Sequence, residues 1–209
     1  MSLNLRSVFA VCVLLYMFGL YYSVDYLWLL KITPIGILGF AVLKSAPSAL
    51  RTTLLCAMIF SGCGDLLLAF DLFIYGIGAF LLAQLSYAWI FKSYWLGLEQ
   101  RWFLTALLSG YVVVMGSILL PNLGDLQLPV SAYLLVIATM GLLAAQSSLP
   151  FRWTVVGALL FIVSDSFIAI NKFVTPLPMA GFLIMSTYYA AQFMLVDSLL
   201  ARANKLSTA

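Results

Sequence analysis

The sequence predicts an all-α integral membrane protein, an eight-transmembrane-helix bundle. Three observations carry that prediction. Ten Lys/Arg and seven Asp/Glu are the only charges among 209 residues, 8% of the chain, where a soluble domain has about a quarter. Hydrophobic residues make up 65% of it, and the mean hydropathy is +1.12. Apolar runs of membrane-spanning length also recur along the whole chain, divided by short turn clusters. So few charges cannot solvate the surface of a soluble globule of this size. Soluble enzymes, nucleic-acid-binding modules and disordered chains are thereby excluded. A net charge of +3 gives no support to a nucleic-acid partner either.

The apolar runs lie at 7–24, 26–44, 52–70, 73–95, 102–120, 129–147, 152–172 and 177–200. Each is long enough to cross with modest tilt. The clusters between them include Ser45-Ala46-Pro47-Ser48, Pro121-Asn122-Leu123-Gly124-Asp125, Ser147-Ser148-Leu149-Pro150 and Thr175-Pro176-Leu177-Pro178. The first run follows Arg6 but lacks a small-residue cleavage site, so it reads as a retained helix and not a signal peptide. The whole of 1–209 reads as one polytopic membrane domain.

With eight spans, the two termini and the even-numbered connections share one face. That face holds Arg6, Lys44, Arg51, Lys92, Arg101, Arg152, Arg202 and Lys205, whereas the other holds Lys31 and Lys172. The positive-inside rule places the basic face, and both termini, in the cytoplasm, as in a bacterial-type inner or cell membrane.

The residue types that are missing narrow the chemistry. There is no histidine, which removes Ser-His-Asp and Cys-His catalysis and His-ligated metal. Cys12, Cys56 and Cys63 lie in apolar runs, and their odd number speaks for free thiols and against a disulfide framework. No phosphate-binding glycine loop is present, so neither ATP nor NAD is indicated. No metal and no cofactor are expected.

The third and seventh runs resemble each other at an offset of 100. Gly64-Asp65-Leu66-Leu67-Leu68-Ala69 lies against Ser164-Asp165-Ser166-Phe167-Ile168-Ala169, and Phe73 against Phe173. In the fourth and eighth runs, Phe80-Leu81-Leu82 precedes Gln84 and Tyr87, as Phe182-Leu183-Ile184 precedes Ser186, Tyr189 and Gln192. A repeat of four helices, 1–100 and 101–209, keeps both halves parallel about an axis along the membrane normal. Asp65 and Asp165 would then face each other at equal depth.

These two aspartates are the central feature. Each stands six or seven residues inside the outer end of an apolar run, about 10 Å deep at 1.5 Å per residue. A carboxylate there costs roughly 2.5–3.5 kcal/mol on insertion scales, which makes it a functional candidate by default. Lys31 lies near the outer end of the second run, where Pro34 frees the carbonyl of Leu30. Lys172 lies two turns beyond Asp165 on the same helix face, next to Asn171. Gln84, Tyr87, Tyr188, Tyr189 and Gln192 lie deeper, as candidate hydrogen-bond partners. Together with Ser164 they predict a polar pocket in the outer half, floored by two carboxyl groups. Two carboxyls sharing a low-dielectric site cannot both ionise cheaply, so one is expected to hold a proton while the other stays ionised. That is the acid-plus-base arrangement used on acetals and glycosides.

On these residues the chain resembles the YhhN family of transmembrane lysoplasmalogenases. The resemblance runs over essentially the whole chain. It is carried by Lys31-Ile32-Thr33-Pro34, by Gly64-Asp65, and by Gly78-Ala79-Phe80 through Gln84 and Tyr87. Ser164-Asp165-Ser166-Phe167-Ile168-Ala169-Ile170-Asn171-Lys172-Phe173 is the most specific piece, and Tyr188-Tyr189-Ala190-Ala191-Gln192 closes the pattern. The resemblance implies hydrolysis of the vinyl ether bond of lysoplasmalogens to a fatty aldehyde and glycerophosphoethanolamine or glycerophosphocholine. The substrate would be a lysophospholipid taken from the membrane, by a monomer or a homodimer. Asp65 and Asp165 would carry the chemistry, in an order left open. Lys31 and Lys172 would hold the phosphate, with Gln84, Tyr87, Ser164, Asn171, Tyr188, Tyr189 and Gln192 as further substrate-binding candidates. The rival reading is a small proton-coupled transporter using the same aspartates.

Overall fold

The computed structural model describes residues 1–45, 47–99 and 101–207, with side chains as far as Ala203. Ala46 of the first turn cluster and the side chain of Lys205, counted above on the basic face, lie outside the described residues. Among the described residues the chain forms eight α-helices: α1 (Leu3–Tyr21), α2 (Leu27–Leu43), α3 (Ala49–Ala69), α4 (Phe73–Lys92), α5 (Trp102–Leu119), α6 (Gln127–Ala145), α7 (Phe151–Phe173) and α8 (Ala180–Ser207). Two single 3₁₀ turns, Leu120–Asn122 and Gly124–Leu126, join α5 to α6.

Seven of the eight are long and apolar enough to cross a membrane. The exception is α2, which at 17 residues is about 25 Å long at 1.5 Å per residue and falls at the lower limit for a span. The protein is a multi-pass integral membrane protein, and its outer surface suits lipid. Leu14, Phe18, Trp89, Leu107, Val113 and Leu128 are all exposed, as lipid-facing side chains are in a medium as apolar as they are.

The helix ends explain where sequence periodicity and structure part. Helix α3 stops at Ala69 because Asp71 takes a left-handed conformation, φ 58°. Leu72 N–H then closes onto the Leu67 carbonyl at 2.9 Å and Asp71 N–H onto Leu68 at 3.3 Å, the paired bonds of a left-handed helix terminus. The α1–α2 corner is built alike. Ser23 is left-handed at φ 53°, and Val24 N–H reaches the Gly19 carbonyl at 3.0 Å. Helix α8 begins at Ala180, three residues later than the apolar run, because Pro176, Pro178 and left-handed Met179 precede it.

Neighbouring helices pack as antiparallel pairs, α3 on α4 and α7 on α8 most extensively. Gly64 permits a close approach of α3 to α4. A Cβ there would sit 2.6 Å from the Phe80 ring of α4. Helix α2 runs antiparallel along α3, with Ile35 beside Gly62 and Gly39 beside Met58. The main apolar cluster of the core includes Leu38, Leu54, Tyr87, Phe161, Tyr189 and Leu199, and a smaller one of Met115, Leu119, Leu123 and Val130 lies between α5 and α6.

Two polar clasps lie at the end of the bundle opposite the α3–α4 turn. Gln146 after α6 donates to the Arg101 carbonyl at 3.0 Å and to Thr105 at 2.9 Å, and accepts from Arg101 N–H at 3.1 Å. The same segment bridges the α4–α5 connection through Leu96 N–H to Gln146 and Ser148 N–H to Tyr94. At the second clasp, Asp197 of α8 accepts two bonds of 3.0 Å from Arg6 and one of 3.1 Å from the Met1 amine. Sequence reasoning did not single out Asp197, a third carboxylate within the helices.

Candidate active site

The two aspartates of the repeated segments meet at one cavity. It measures about 260 Å³, and both Asp65 and Asp165 line it. Lys31, Ser164, Asn171, Lys172 and Tyr188 share its wall, as do Tyr16, Asp71, Phe73 and Phe80. Phe73 and Phe173, the paired phenylalanines of the repeat, touch edge to face at 5.5 Å beside it. Asp65 lies four residues before the end of α3 and Asp165 eight before the end of α7. The left-handed stop at Asp71 shortens the first distance, while α7 runs on through Asn171 and Lys172.

The surroundings of the two carboxyls differ in charge. Asp65 is 2% exposed. Its Oδ1 lies 3.6 Å from the Lys31 ammonium, and its Oδ2 accepts from Tyr188 at 2.8 Å. Lys31 Nζ also donates to the Asp65 backbone carbonyl at 3.2 Å. Asp165 instead accepts a hydrogen bond from the Tyr133 hydroxyl of α6. Among the described residues no cation pairs with it. The sequence places Lys31 toward a substrate phosphate, but its ammonium is engaged by Asp65, because the antiparallel register of α2 on α3 sets the two side by side.

A chain of buried hydrogen bonds backs Asp65. Gln192 donates to Ser61 at 2.8 Å and to Tyr188 at 3.4 Å, and its carbonyl oxygen accepts from Tyr87 at 2.6 Å. Tyr87 and Gln192 therefore sit behind the cavity wall and hold Tyr188 against Asp65. Such a network fixes geometry when every member is satisfied. Tyr189, on the far side of α8, donates to the Lys31 carbonyl at 2.7 Å. It faces an apolar groove of about 710 Å³ between α1 and α8. Gln84 is fully buried in α4 and does not line the cavity. Neither of its amide atoms makes a hydrogen bond.

The remaining candidates shape the mouth. Ser164 donates to the Ile184 carbonyl at 3.0 Å and binds α7 to α8. Asn171 accepts from Leu177 N–H at 2.8 Å, which fixes the α7–α8 turn. The Lys172 ammonium stands over the Phe73 ring at 5.3 Å. Asp165 also borders a second, apolar recess of about 40 Å³, which shares Leu68, Phe73, Phe80 and Ile168 with the cavity. Ile77, Val130, Ala169 and Phe173 extend that recess between α4, α6 and α7.

Four lining or supporting residues escaped the sequence reading: Tyr16, Asp71, Tyr133 and Ser61. Tyr16 and Tyr133 lie in apolar runs, where a tyrosine reads as packing, and Asp71 lies at a helix end, where a carboxylate reads as solvated. Among the described residues no group of His, Cys, Asp or Glu is placed to hold a metal ion. The arrangement provides one ion-paired carboxylate, one carboxyl bonded only to a phenol, and an exposed ammonium further out.

The YhhN family model matches residues 26–199. The chain is 37% identical over 172 residues to the lysoplasmalogenase TMEM86A of Bos taurus, which covers 77% of this chain and 69% of that protein. It is 37% identical over 177 residues to the lysoplasmalogenase TMEM86B of Rattus norvegicus, covering 82% and 72%. A lysoplasmalogenase of Mycobacterium tuberculosis is 32% identical over 154 residues, covering 69% and 59%. No solved structure matches the chain.

Proposed function

The chain belongs to the YhhN family, and we propose from this that it is a lysoplasmalogenase whose two intramembrane aspartates divide the work of vinyl ether hydrolysis. One observation carries the division: Asp65 has an ammonium partner at 3.6 Å, and Asp165 has a phenol in its place. Asp65 is the anion. Asp165 holds the proton.

Vinyl ethers hydrolyse by protonation at the β-carbon. Asp165 delivers that proton, and the positive charge appears on the adjacent carbon as an oxocarbenium ion, facing the Asp65 carboxylate. Stabilising a charge that develops only in the transition state is the main lever of such a site. Water adds to the cation and gives a proton to Asp65. Collapse of the hemiacetal returns the hydroxyl proton to Asp165, and Asp65 protonates the departing glyceryl oxygen. One water is consumed, an aldehyde and an alcohol form, and both carboxyls regain their starting states. Tyr133 and Tyr188 orient the two groups, while Tyr87 and Gln192 act through Tyr188. Lys172 at the mouth holds the phosphate as a point charge. The apolar recess beside Asp165, about 40 Å³, receives the first carbons of the alkenyl chain.

All eight helices cross the bilayer, with both termini on the cytoplasmic side. Helix α2 is short, but it parallels α3 from the level of Asp65 inward, as a crossing helix does. Two parallel four-helix units, 1–100 and 101–209, then supply one aspartate each, so a monomer holds a complete site.

The test is aldehyde release from lysoplasmalogen by purified protein in detergent. Asp65→Asn and Asp165→Asn each abolish it while the protein stays folded by thermal unfolding. Full activity in either variant sinks the two-carboxylate mechanism. A proton-coupled carrier using the same aspartates would release no aldehyde in detergent at all.

A further inference from the structure

The cavity mouth carries two charges that the reaction does not consume. Lys172 lies at the end of α7 and Asp71 at the end of α3, and both line the cavity. Neither makes an ion pair with another described residue. Asp71 is fixed by its backbone, since its left-handed conformation and the bonds from Asp71 and Leu72 N–H lock the α3 terminus. Asp71 lies six residues beyond Asp65, just as Lys172 lies seven beyond Asp165. An anion and a cation thus stand at the rim, outside the two reacting carboxyls.

We propose that Asp71 is the subsite for a primary ammonium headgroup, so that the protein prefers ethanolamine to choline lysoplasmalogens. This rests on the lysoplasmalogenase reading and deepens it. With the phosphate on Lys172, the amine two carbons further along meets the Asp71 carboxylate, which pairs with no cation among the described residues. A primary ammonium donates up to three hydrogen bonds to such an acceptor. A quaternary ammonium donates none, and its favoured partner is an open aromatic face. Phe73, the aromatic ring of the cavity wall nearest Lys172, already carries that ammonium on its face at 5.3 Å. The mouth therefore offers choline a charge without a hydrogen bond, and the Phe73 ring beside the phosphate site is already taken by Lys172.

The experiment uses the full chain in detergent and four alkenyl-lysophospholipids, with ethanolamine, N-methylethanolamine, N,N-dimethylethanolamine and choline headgroups. Aldehyde release gives kcat/KM for each. In the wild type, kcat/KM falls with methylation, to about fivefold lower for choline, the scale of one exposed charge-assisted contact. Asp71→Asn brings the ethanolamine-to-choline ratio close to one. Asparagine accepts a left-handed backbone readily, so the variant keeps the helix terminus, and its thermal unfolding matches the wild type. Equal rates across the wild-type series overturn the proposal, as does a ratio that survives Asp71→Asn. Aldehyde from none of the four refutes the lysoplasmalogenase reading itself, and this subsite with it.

Discussion

Replacing Lys31 with methionine separates two accounts of that residue. If its ammonium holds the substrate phosphate, as its place near the outer end of α2 suggests, Lys31→Met raises KM and spares kcat. If it holds Asp65 as an anion, kcat falls and KM stays. The geometry favours the second outcome. At 3.6 Å, Coulomb's law gives about 4–5 kcal/mol for the pair at an effective dielectric of about 20. Removing one partner of a buried pair strands the other at a cost of about 3–5 kcal/mol. The carboxyl escapes part of that cost by taking up a proton, and the oxocarbenium ion then loses its counter-charge. The loss of about 3 kcal/mol from the transition state is about 100-fold in kcat. Lys31→Arg retains the charge and much of the rate. In the double variant Lys31→Met/Asp65→Asn, the stability lost in Lys31→Met returns, since no charge is left stranded. Steady-state aldehyde release with varied lysoplasmalogen, alongside thermal unfolding, reads all three. A raised KM with unchanged kcat refutes the ion-pair role.

Two further outcomes follow from packing. Gly64→Ala forces α3 and α4 apart at Phe80, where a Cβ has only 2.6 Å. Overpacking of this kind costs about 1–3 kcal/mol, so the midpoint of thermal unfolding drops and aldehyde release drops with it, because Phe80 lines the cavity. Gly78→Ala, with open space around it, changes neither. Asp197→Asn releases Arg6 and the Met1 amine at the opposite end of the bundle. It lowers the unfolding midpoint and leaves kcat and KM unaltered, and a changed kcat would show that the clasp is coupled to the cavity.

The helices were legible because their signal is local. Helix α7 was expected at 152–172 and spans Phe151–Phe173. Helix α5 differs from its expected run by one residue. Larger departures fall at α1, expected at 7–24 and found at Leu3–Tyr21, and at α8, expected at 177–200 and found at Ala180–Ser207, where left-handed Ser23 follows the one helix and left-handed Met179 precedes the other. The fact that Asp65 and Asp165 share a cavity was legible through the repeat. Their difference was not, since it depends on what neighbouring helices bring alongside: Lys31 from α2 in one case, Tyr133 from α6 in the other. Periodicity fixes which face of a helix is apolar, but not the sliding register between two apolar helices. Asp197 was missed for the same reason, because its partners are 191 and 196 residues away in sequence. Tyr87 and Gln192 were noticed as polar residues among apolar ones. Only the packing of α4 against α8 reveals that they bond to each other and not to the cavity.

Asp165 stands on the wall common to the polar cavity and the apolar recess, and on the proposed mechanism this position would decide where the two products first appear. The two fragments differ sharply in solubility. The glycerophosphodiester would be formed toward the charged rim and would disperse into water. The long-chain aldehyde would be formed on the apolar side and would stay dissolved in lipid. Each product would then enter a phase that the other does not, which keeps the two from meeting again at the site. Return of the alcohol to the aldehyde would be opposed by partitioning, and the aldehyde would be left in the membrane.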